Sequence, residues 1–343
     1  MNTLPGENAE SVTQLDELTD LATPFAVRVA ATLRVADLIA SGVDSLDGLA
    51  EACGSHRDAL GRLLRFLVRR GVFTEPADGL FGLTDTGRLL CDDGPAGQRG
   101  RLDLTGVGAA MDTAVGGLLH SVRTGEPAYA TVHGRTLWDD LDAHPGYRAY
   151  FDDLMQSQQK LTAPQVAQLY DWAGVDHVVD VGGGSGGLLV ELLTTHPHLR
   201  ATLVDRPAPV RTAERAFAEH GLTGRARLVP GDFFTSVPAG GDLYVISRVL
   251  TDWNDESATA ILRQTREAAG PDGRVLIVEV LPSQPYAPHE TPYDLQMLAV
   301  VGGRARDVGD FAVLAGAAGL AVRRTSYGAD GLVLIELGAE GEP

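Results

Sequence analysis

The stretch from His177 to Leu193, HVVDVGGGSGGLLVELL, constrains this chain more than any other. Val178, Val179 and Val181 are the β-branched close of a buried strand. Gly182, Gly183, Gly184 and Gly186 make a turn without side chains, and from Leu188 onward the apolar spacing is helical. A strand, a glycine turn and a helix in that order open a doubly wound α/β sheet. Glycine is required where the backbone approaches a ligand closely or takes positive φ. Asp180 precedes the turn, and TLVDRP sets a second carboxylate, Asp205, at the end of the next strand. A carboxylate at that place can accept two hydrogen bonds from a ribose diol.

Two further strand ends follow. LVPGDFF puts Asp232 and Phe233 where an acid and a ring can hold an adenine amino group and face, and DLYVISRVLTDWNDESA puts a fourth strand before Ser247, Arg248 and a helix. A nicotinamide dinucleotide and S-adenosylmethionine compete for such a site. The four signals in this order favour the methyl donor, with a sheet that binds no nucleotide as the plain alternative.

A length of 343 residues suits two domains. The α/β pattern fills residues 171–343. Residues 101–170 have helical periodicity broken by glycines and read as connecting helices that contribute to the acceptor pocket. Residues 1–100 read as a mainly α winged-helix domain: a polar start with a frayed beginning, one apolar helix from Ala26 to Ile39 stopped before Gly42, a short helix after Ser45, a helix from Arg57 to Arg70, and a hairpin turning at Ala77-Asp78-Gly79. The breadth of the Ala26–Ile39 apolar surface predicts a homodimer through this region.

A winged unit also raises a DNA-reading alternative, with Arg57, Arg62, Arg65, Arg69 and Arg70 as phosphate contacts. Asp44, Asp47, Glu51, Asp58, Glu75 and Asp78 surround those arginines, and the formal charge of -18 works against nucleic acid and anionic membrane surfaces alike. No apolar run approaches the roughly 20 residues of a membrane span. The start has neither a basic nor an apolar leader region, so a cytoplasmic protein is expected. Cys53 and Cys91 form neither a disulfide framework nor a metal-ligand spacing, and no metal is expected.

The motifs DVGGGSG, GDFF, DWND and PDGRVLIVEVLP, in this order, resemble those of the class I small-molecule O-methyltransferases, the caffeate and polyketide-tailoring type. TPFAVRVAATLRVADLI, YDWAGVDHVVDVGGG and DLQMLAVVGGRAR are similar to the anthracycline-tailoring branch, so that the likeness runs over nearly the whole chain. It implies a Rossmann-like methyltransferase domain behind a helical dimerisation domain, with S-adenosylmethionine as cofactor and S-adenosylhomocysteine as its product. It also implies a small aromatic acceptor of polycyclic, polyketide-like type. Carried over by residue, it implies donor contacts from Gly182 and Gly184 backbone beside Asp180, from Asp205 to ribose, and from Asp232 and Phe233 to adenine. Arg148, in GYRAYFDDLM, would meet the donor carboxylate, and Ser247 and Arg248 would lie by the methionine moiety. Trp253 is expected to pack. Trp138, Phe151, Met155, Tyr293, Asp294 and Met297 would line the acceptor pocket, since flat aromatic and thioether side chains suit a planar polycycle.

The likeness fails at one place. The plant-type enzymes carry a histidine base immediately before the Asp-Trp pair and hold it with a glutamate; here those positions are Thr251 and Ala305, while Glu279 matches a second flanking glutamate. A threonine hydroxyl has no proton-accepting state near neutral pH that replaces imidazole. Thr251 and Glu279 remain the catalytic positions, with His120 and His133 as uncommitted substitutes for the base. The resemblance then implies transfer by placement, in which orientation of the acceptor supplies the rate. The same absence admits a donor site turned to hydroxylation, decarboxylation or ring formation.

Overall fold

In the computed structural model, which describes residues 6–93, 98–281 and 290–339, the chain forms two compact units, Met1–Ala110 and Met111–Pro343. The boundary falls ten residues beyond the end of the helical domain read from sequence, inside a helix.

The first unit holds α1 (Gly6–Leu18), α2 (Ala22–Thr32), α3 (Val35–Ala40), α4 (Leu46–Ala52) and α5 (Arg57–Arg69), the hairpin β1 (Phe73–Ala77) and β2 (Leu80–Leu83), then α6 (Asp85–Arg88) and α7 (Gln98–Leu102). Gly79 takes φ +73° in the hairpin turn, and Ser45 caps α4 by accepting from the Gly48 N–H at 3.2 Å. One expectation is corrected here, and another falls outside the described residues. The polar start is helical from Gly6, while residues 1–5, where fraying was expected, lie outside the described residues. The helix expected from Ala26 to Ile39 is two helices, broken at Arg34 with φ +56°. A left-handed residue costs roughly 1–2 kcal/mol. Here it turns Val35 and Ala36 into the core that already buries Ala30 and Ala31, and lets Arg34 pair with Asp92.

That packing also revises the reason for expecting a dimer, because the apolar face of α2 and α3 is covered within its own unit. Exposed apolar residues gather instead on α1 and the start of α2, at Val12, Leu15, Leu18, Leu21 and Phe25, with Leu80, Leu89 and Leu104 elsewhere in the unit. Of the five arginines weighed as phosphate contacts, Arg57 pairs with Asp47, Arg65 with Glu75 and Asp78, and Arg70 with Asp20.

The second unit begins within α8 (Val107–Ala114) and continues through α9 (Leu118–Thr124), α10 (Tyr129–His133), α11 (Leu137–Ala143) and the long α12 (Pro145–Leu169). Strands and helices then alternate: β3 (His177–Val181), α13 (Gly187–Thr195), β4 (Arg200–Asp205), α14 (Pro207–Glu219), β5 (Ala226–Pro230), β6 (Leu243–Ser247), α15 (Asp255–Ala269) and β7 (Arg274–Val280). α16 (Pro292–Val301), α17 (Val308–Ala317), β8 (Leu320–Tyr327) and β9 (Leu332–Ala339) complete it.

The strands order as β5-β4-β3-β6-β7-β9-β8, parallel from β5 to β7 and antiparallel where β9 meets β7 and β8. Because both faces are covered, the central strands are nearly continuous apolar runs. On β6, Leu243 and Val245 face a core built with α12, α13 and α14, while Tyr244 and Ile246 face one built with α15 and α17. Strand order reverses at β3, which pairs with β4 on one side and β6 on the other. Ligands of such sheets bind at the carboxyl ends of the strands at this reversal.

Candidate active site

At the carboxyl end of β3 the glycines do what the sequence pattern asks of them. Gly182, Gly184 and Gly186 take φ of +76°, +58° and +81°. A methyl group on Gly182 would come within 2.6 Å of the Val249 side chain, and one on Gly183 within 2.6 Å of an Asp180 carboxyl oxygen. The Asp205 carboxylate anchors the turn, accepting from the Gly184 N–H at 2.7 Å and from the Arg206 N–H at 2.6 Å. Burial raises the Asp205 carboxyl above its ordinary range.

Asp180 is the exception in this well-bonded turn. It is 0% exposed and neither of its carboxyl oxygens has a hydrogen-bond partner. Desolvation, and then the charge of Asp205, push its carboxyl up to about 7. A buried acceptor pair without donors is costly by itself. Together with a cradle that any Cβ would fill, it fits a polar ligand entering between β3 and β4, as the nucleoside end of S-adenosylmethionine would.

The other expected donor residues stand around this cradle. Asp232 is exposed after β5 and accepts from the Phe234 N–H at 2.9 Å, while Phe233 is half-buried. Trp253 packs, as expected: its ring meets Phe234 edge-on at 4.7 Å and stacks on Trp138 at 6.3 Å, and Trp138 in turn meets Phe151 at 6.1 Å. Arg148, in the first turns of α12, pairs with Asp142 at 2.9 Å and Asp152 at 3.7 Å, and its positive charge opposes the upward shift of Asp205. Ser247 ends β6.

Arg248 follows with φ +57°, its N–H donating to the Val278 carbonyl at 2.9 Å and its guanidinium to the Gln158 amide oxygen on α12. This left-handed step sets the Arg248 guanidinium on the wall of a cavity of about 470 Å³ in the second unit. The same wall carries Thr251 from the short 3₁₀ turn after β6, Glu279 from the end of β7, and Tyr293 from α16. The Thr251 hydroxyl donates to a Glu279 carboxyl oxygen at 3.0 Å, and the two residues are 8% and 5% exposed. Desolvation raises the Glu279 carboxyl, opposed first by Arg248 and then by Thr251. Asp252 is pushed up to about 7 by desolvation and then by the charge of Glu279, and the Tyr293 phenol is raised as well, chiefly by burial.

Of the six side chains expected to line the acceptor pocket, this cavity wall takes Tyr293. Trp138 and Phe151 belong to the aromatic group around Trp253, and Met297 is on the buried face of α16. Met155 is half-buried on α12. Asp294 is spent on the backbone, accepting from the Ala305 N–H at 2.8 Å. His120 contacts Thr124, and His133 contacts Thr113 and the Tyr129 ring; neither borders the cavity.

Two functional positions went unread in the sequence. Gln158 reaches Arg248 across 90 residues of chain, which no local pattern reveals. Arg306 is 2% exposed, and its fork donates to the Leu250 carbonyl at 2.7 Å, the Trp253 carbonyl at 2.8 Å and an Asp255 carboxylate oxygen at 2.7 Å. It thus laces the turn that carries Thr251. The Gly302-Gly303 pair beside it gave the available signal: a methyl on Gly303 would fall 2.2 Å from the Thr251 carbonyl oxygen.

A family model described as the O-methyltransferase domain matches residues 116–321, and one described as the O-methyltransferase dimerisation domain matches residues 16–93. Over 309 residues, 90% of this chain and 92% of the relative, the sequence is 49% identical to 2,7-dihydroxy-5-methyl-1-naphthoate 7-O-methyltransferase of Streptomyces carzinostaticus. It is 42% identical over 334 residues, 94% of this chain and 89% of the relative, to aclacinomycin 10-hydroxylase RdmB of Streptomyces purpurascens. Among solved structures it is similar to NcsB1, an O-methyltransferase from neocarzinostatin biosynthesis in complex with S-adenosylmethionine and 2-hydroxy-5-methyl naphthoic acid. That likeness has a TM-score of 0.88 and 47% identity, covering 95% of this chain and 98% of that one.

Proposed function

Because the chain belongs to the O-methyltransferase family, with the family's dimerisation domain followed by its O-methyltransferase domain, we propose that it methylates a hydroxyl of an aromatic, polyketide-like acceptor such as a hydroxynaphthoate. Its cofactor is S-adenosylmethionine, which supplies a methyl group already activated by sulfonium charge. One observation carries the reading. Val249, whose side chain a methyl on Gly182 would meet at 2.6 Å, directly follows Arg248, which lines the cavity, so one short segment after β6 borders both the glycine turn and the cavity. On this reading a donor held at the turn presents its methyl group toward an acceptor held in the cavity.

We assign Gly182 and Gly184 backbone, Asp180 and Asp205 to the nucleoside end of the donor, Asp232 and Phe233 to its adenine, and Arg148 and Ser247 to its amino-acid end. Arg248, expected beside the donor's methionine moiety, lines the cavity instead, so we assign it with Tyr293 and Gln158 to the acceptor, whose hydroxyl lies toward Thr251 and Glu279. With no imidazole at the family's base position, placement of the two reactants supplies most of the rate, an effect worth on the order of 7–11 kcal/mol in favourable intramolecular cases.

The test is calorimetry with S-adenosylhomocysteine and mass analysis of products from dihydroxynaphthoates. Tight binding that weakens in Asp205→Ala, with a gain of one methyl group, supports the proposal; preference for a nicotinamide cofactor sinks it. The 42% identity to a hydroxylase favours a second reading, in which the same site directs oxygen insertion, and a product heavier by one oxygen would mark it.

The dimerisation-domain match and the exposed Val12, Leu15 and Leu18 of α1 support a homodimer formed through the first unit. Light scattering on Leu15→Arg should show it dissociate. No described helix is long and apolar enough to cross a membrane, and we place the protein in the cytoplasm.

A further inference from the structure

We infer that Glu279, reached through the Thr251 hydroxyl, receives the proton that the acceptor hydroxyl loses on methylation. The inference rests on the methyl-transfer reading above. Thr251 stands where the family's base would be, and its hydroxyl is already committed as donor to Glu279 at 3.0 Å. A hydroxyl that donates one hydrogen bond keeps two lone pairs for accepting, and both residues border the same cavity. An acceptor hydroxyl that donates to the Thr251 oxygen would therefore complete a two-bond path to a carboxylate.

The step balances. The acceptor O–H bond breaks, its proton joins the Thr251 oxygen, and the former Thr251 proton passes to Glu279. The freed oxygen pair forms the new C–O bond as the methyl donor's C–S bond breaks and its pair returns to sulfur. One cation and one carboxylate become two neutral groups, and threonine ends as it began.

Threonine alone cannot serve as base, but threonine bonded to a buried carboxylate can pass a proton on. The groups facing Glu279 are Arg248 from the turn after β6, Thr251 and Asp252 from the 3₁₀ turn, Tyr293 from α16, and Arg306 from the loop after α16. Burial makes this carboxyl a better proton acceptor than an exposed glutamate, while Arg248 and Thr251 keep its ionised form accessible. A purely structural Thr–Glu bond would make the same contact without moving a proton, so the test must follow the proton.

Turnover is measured against pH, with saturating S-adenosylmethionine, over a series of nitro- and halogen-substituted 2-naphthols of graded acidity. The relay predicts that Thr251→Ala and Glu279→Gln lose about a hundredfold with the least acidic naphthol, the usual scale of general-base removal. With a nitronaphthol already ionised in solution they should stay within a few-fold of wild type. Thr251→Ser, which keeps the hydroxyl, should recover the loss. An equal fractional loss across the series, or an unchanged pH profile in Glu279→Gln, overturns the relay.

A second readout needs no turnover. The protein saturated with S-adenosylhomocysteine is titrated with a less acidic nitronaphthol, one still protonated in solution at the assay pH, in buffers of different ionisation enthalpy, and ionisation of the bound naphthol is followed by absorbance. Wild type should ionise it without releasing a proton to buffer. Glu279→Gln should release one or leave the naphthol protonated, and identical proton release in the two overturns the relay. A wild type that binds and ionises the naphthol, yet never methylates it, refutes the methyl-transfer reading alone.

Discussion

Replacing Asp180 with asparagine should stabilise the donor-free protein, and increasingly so as pH rises. In the unfolded chain this carboxyl ionises near its ordinary value of 3.8; in the folded protein, buried without a hydrogen-bond partner and close to Asp205, it keeps its proton up to about 7. Below pH 4 both states hold the proton and nothing is lost. Between those values the folded state alone holds it, so stability falls as pH rises and levels off above 7. The gap corresponds to on the order of 4 kcal/mol in full, of which about 3 kcal/mol falls between pH 5 and 8. Asparagine keeps the shape and removes the ionisation. Urea unfolding at pH 5 and 8, at one protein concentration and without donor, should show the wild type losing about 3 kcal/mol more than Asp180→Asn over that interval. Glu279 titrates with the same sign in both proteins and cancels in the comparison, while Asp205, whose charge is coupled to Asp180, is relieved in the variant and shifts the difference in the same direction. Parallel stability curves would refute the reasoning and mean that Asp180 is satisfied in solution. The same variant should bind S-adenosylhomocysteine at least tenfold more weakly, since a hydrogen bond to a charged acceptor is worth about 1.5–3 kcal/mol.

Gly303→Ala forces a methyl group against the Thr251 carbonyl 2.2 Å away; the loop must shift, at a cost of about 1–3 kcal/mol. Methyl transfer should fall sharply while donor affinity, measured by calorimetry, stays near wild type. Arg306→Lys keeps the charge and loses the fork that ties Leu250, Trp253 and Asp255 together; denaturation should report about 2 kcal/mol or more of lost stability, because buried carbonyls are left without donors. Thr251→His with Ala305→Glu rebuilds the family's base and its holder, and turnover with the least acidic naphthols should rise above wild type. No gain would place the acceptor hydroxyl away from this turn.

How much of this was legible in the sequence depends on how local each cause is. The β3 strand, its glycine turn and Asp205 were readable because a buried parallel strand needs an apolar run, a close turn needs glycine, and the second carboxylate follows at the next strand end. Thr251 was readable as a departure from a motif. The helix broken at Arg34 was not, since its pairing partner Asp92 lies 58 residues away. Among the described residues, the wall of the observed cavity and the side chains expected around an acceptor overlap only at Tyr293. Aromatic and thioether side chains suit a flat ligand, but Trp138, Phe151 and Met297 make packing contacts elsewhere, and the cavity sets polar groups such as Gln158, Arg248, Thr251 and Glu279 among aliphatic ones such as Leu161, Val280 and Leu281. A buried arginine such as Arg306 contradicts what composition teaches about charged residues. The backbone carbonyls gathered around it, together with the Asp255 carboxylate, explain its place.

Those carbonyls separate the position of the reacting turn from its chemistry. Arg306 grips main-chain atoms at Leu250 and Trp253, on either side of Thr251 and Asp252, and Arg304 donates its own N–H to the Thr251 carbonyl at 2.9 Å. None of these bonds depends on which side chain residue 251 carries. A lineage built on this scaffold can exchange imidazole for a hydroxyl, or for something else, without moving the backbone that aims it. The side chain at 251 can then vary on a fixed backbone, which suits a scaffold whose relatives include both a naphthoate O-methyltransferase and an aclacinomycin hydroxylase.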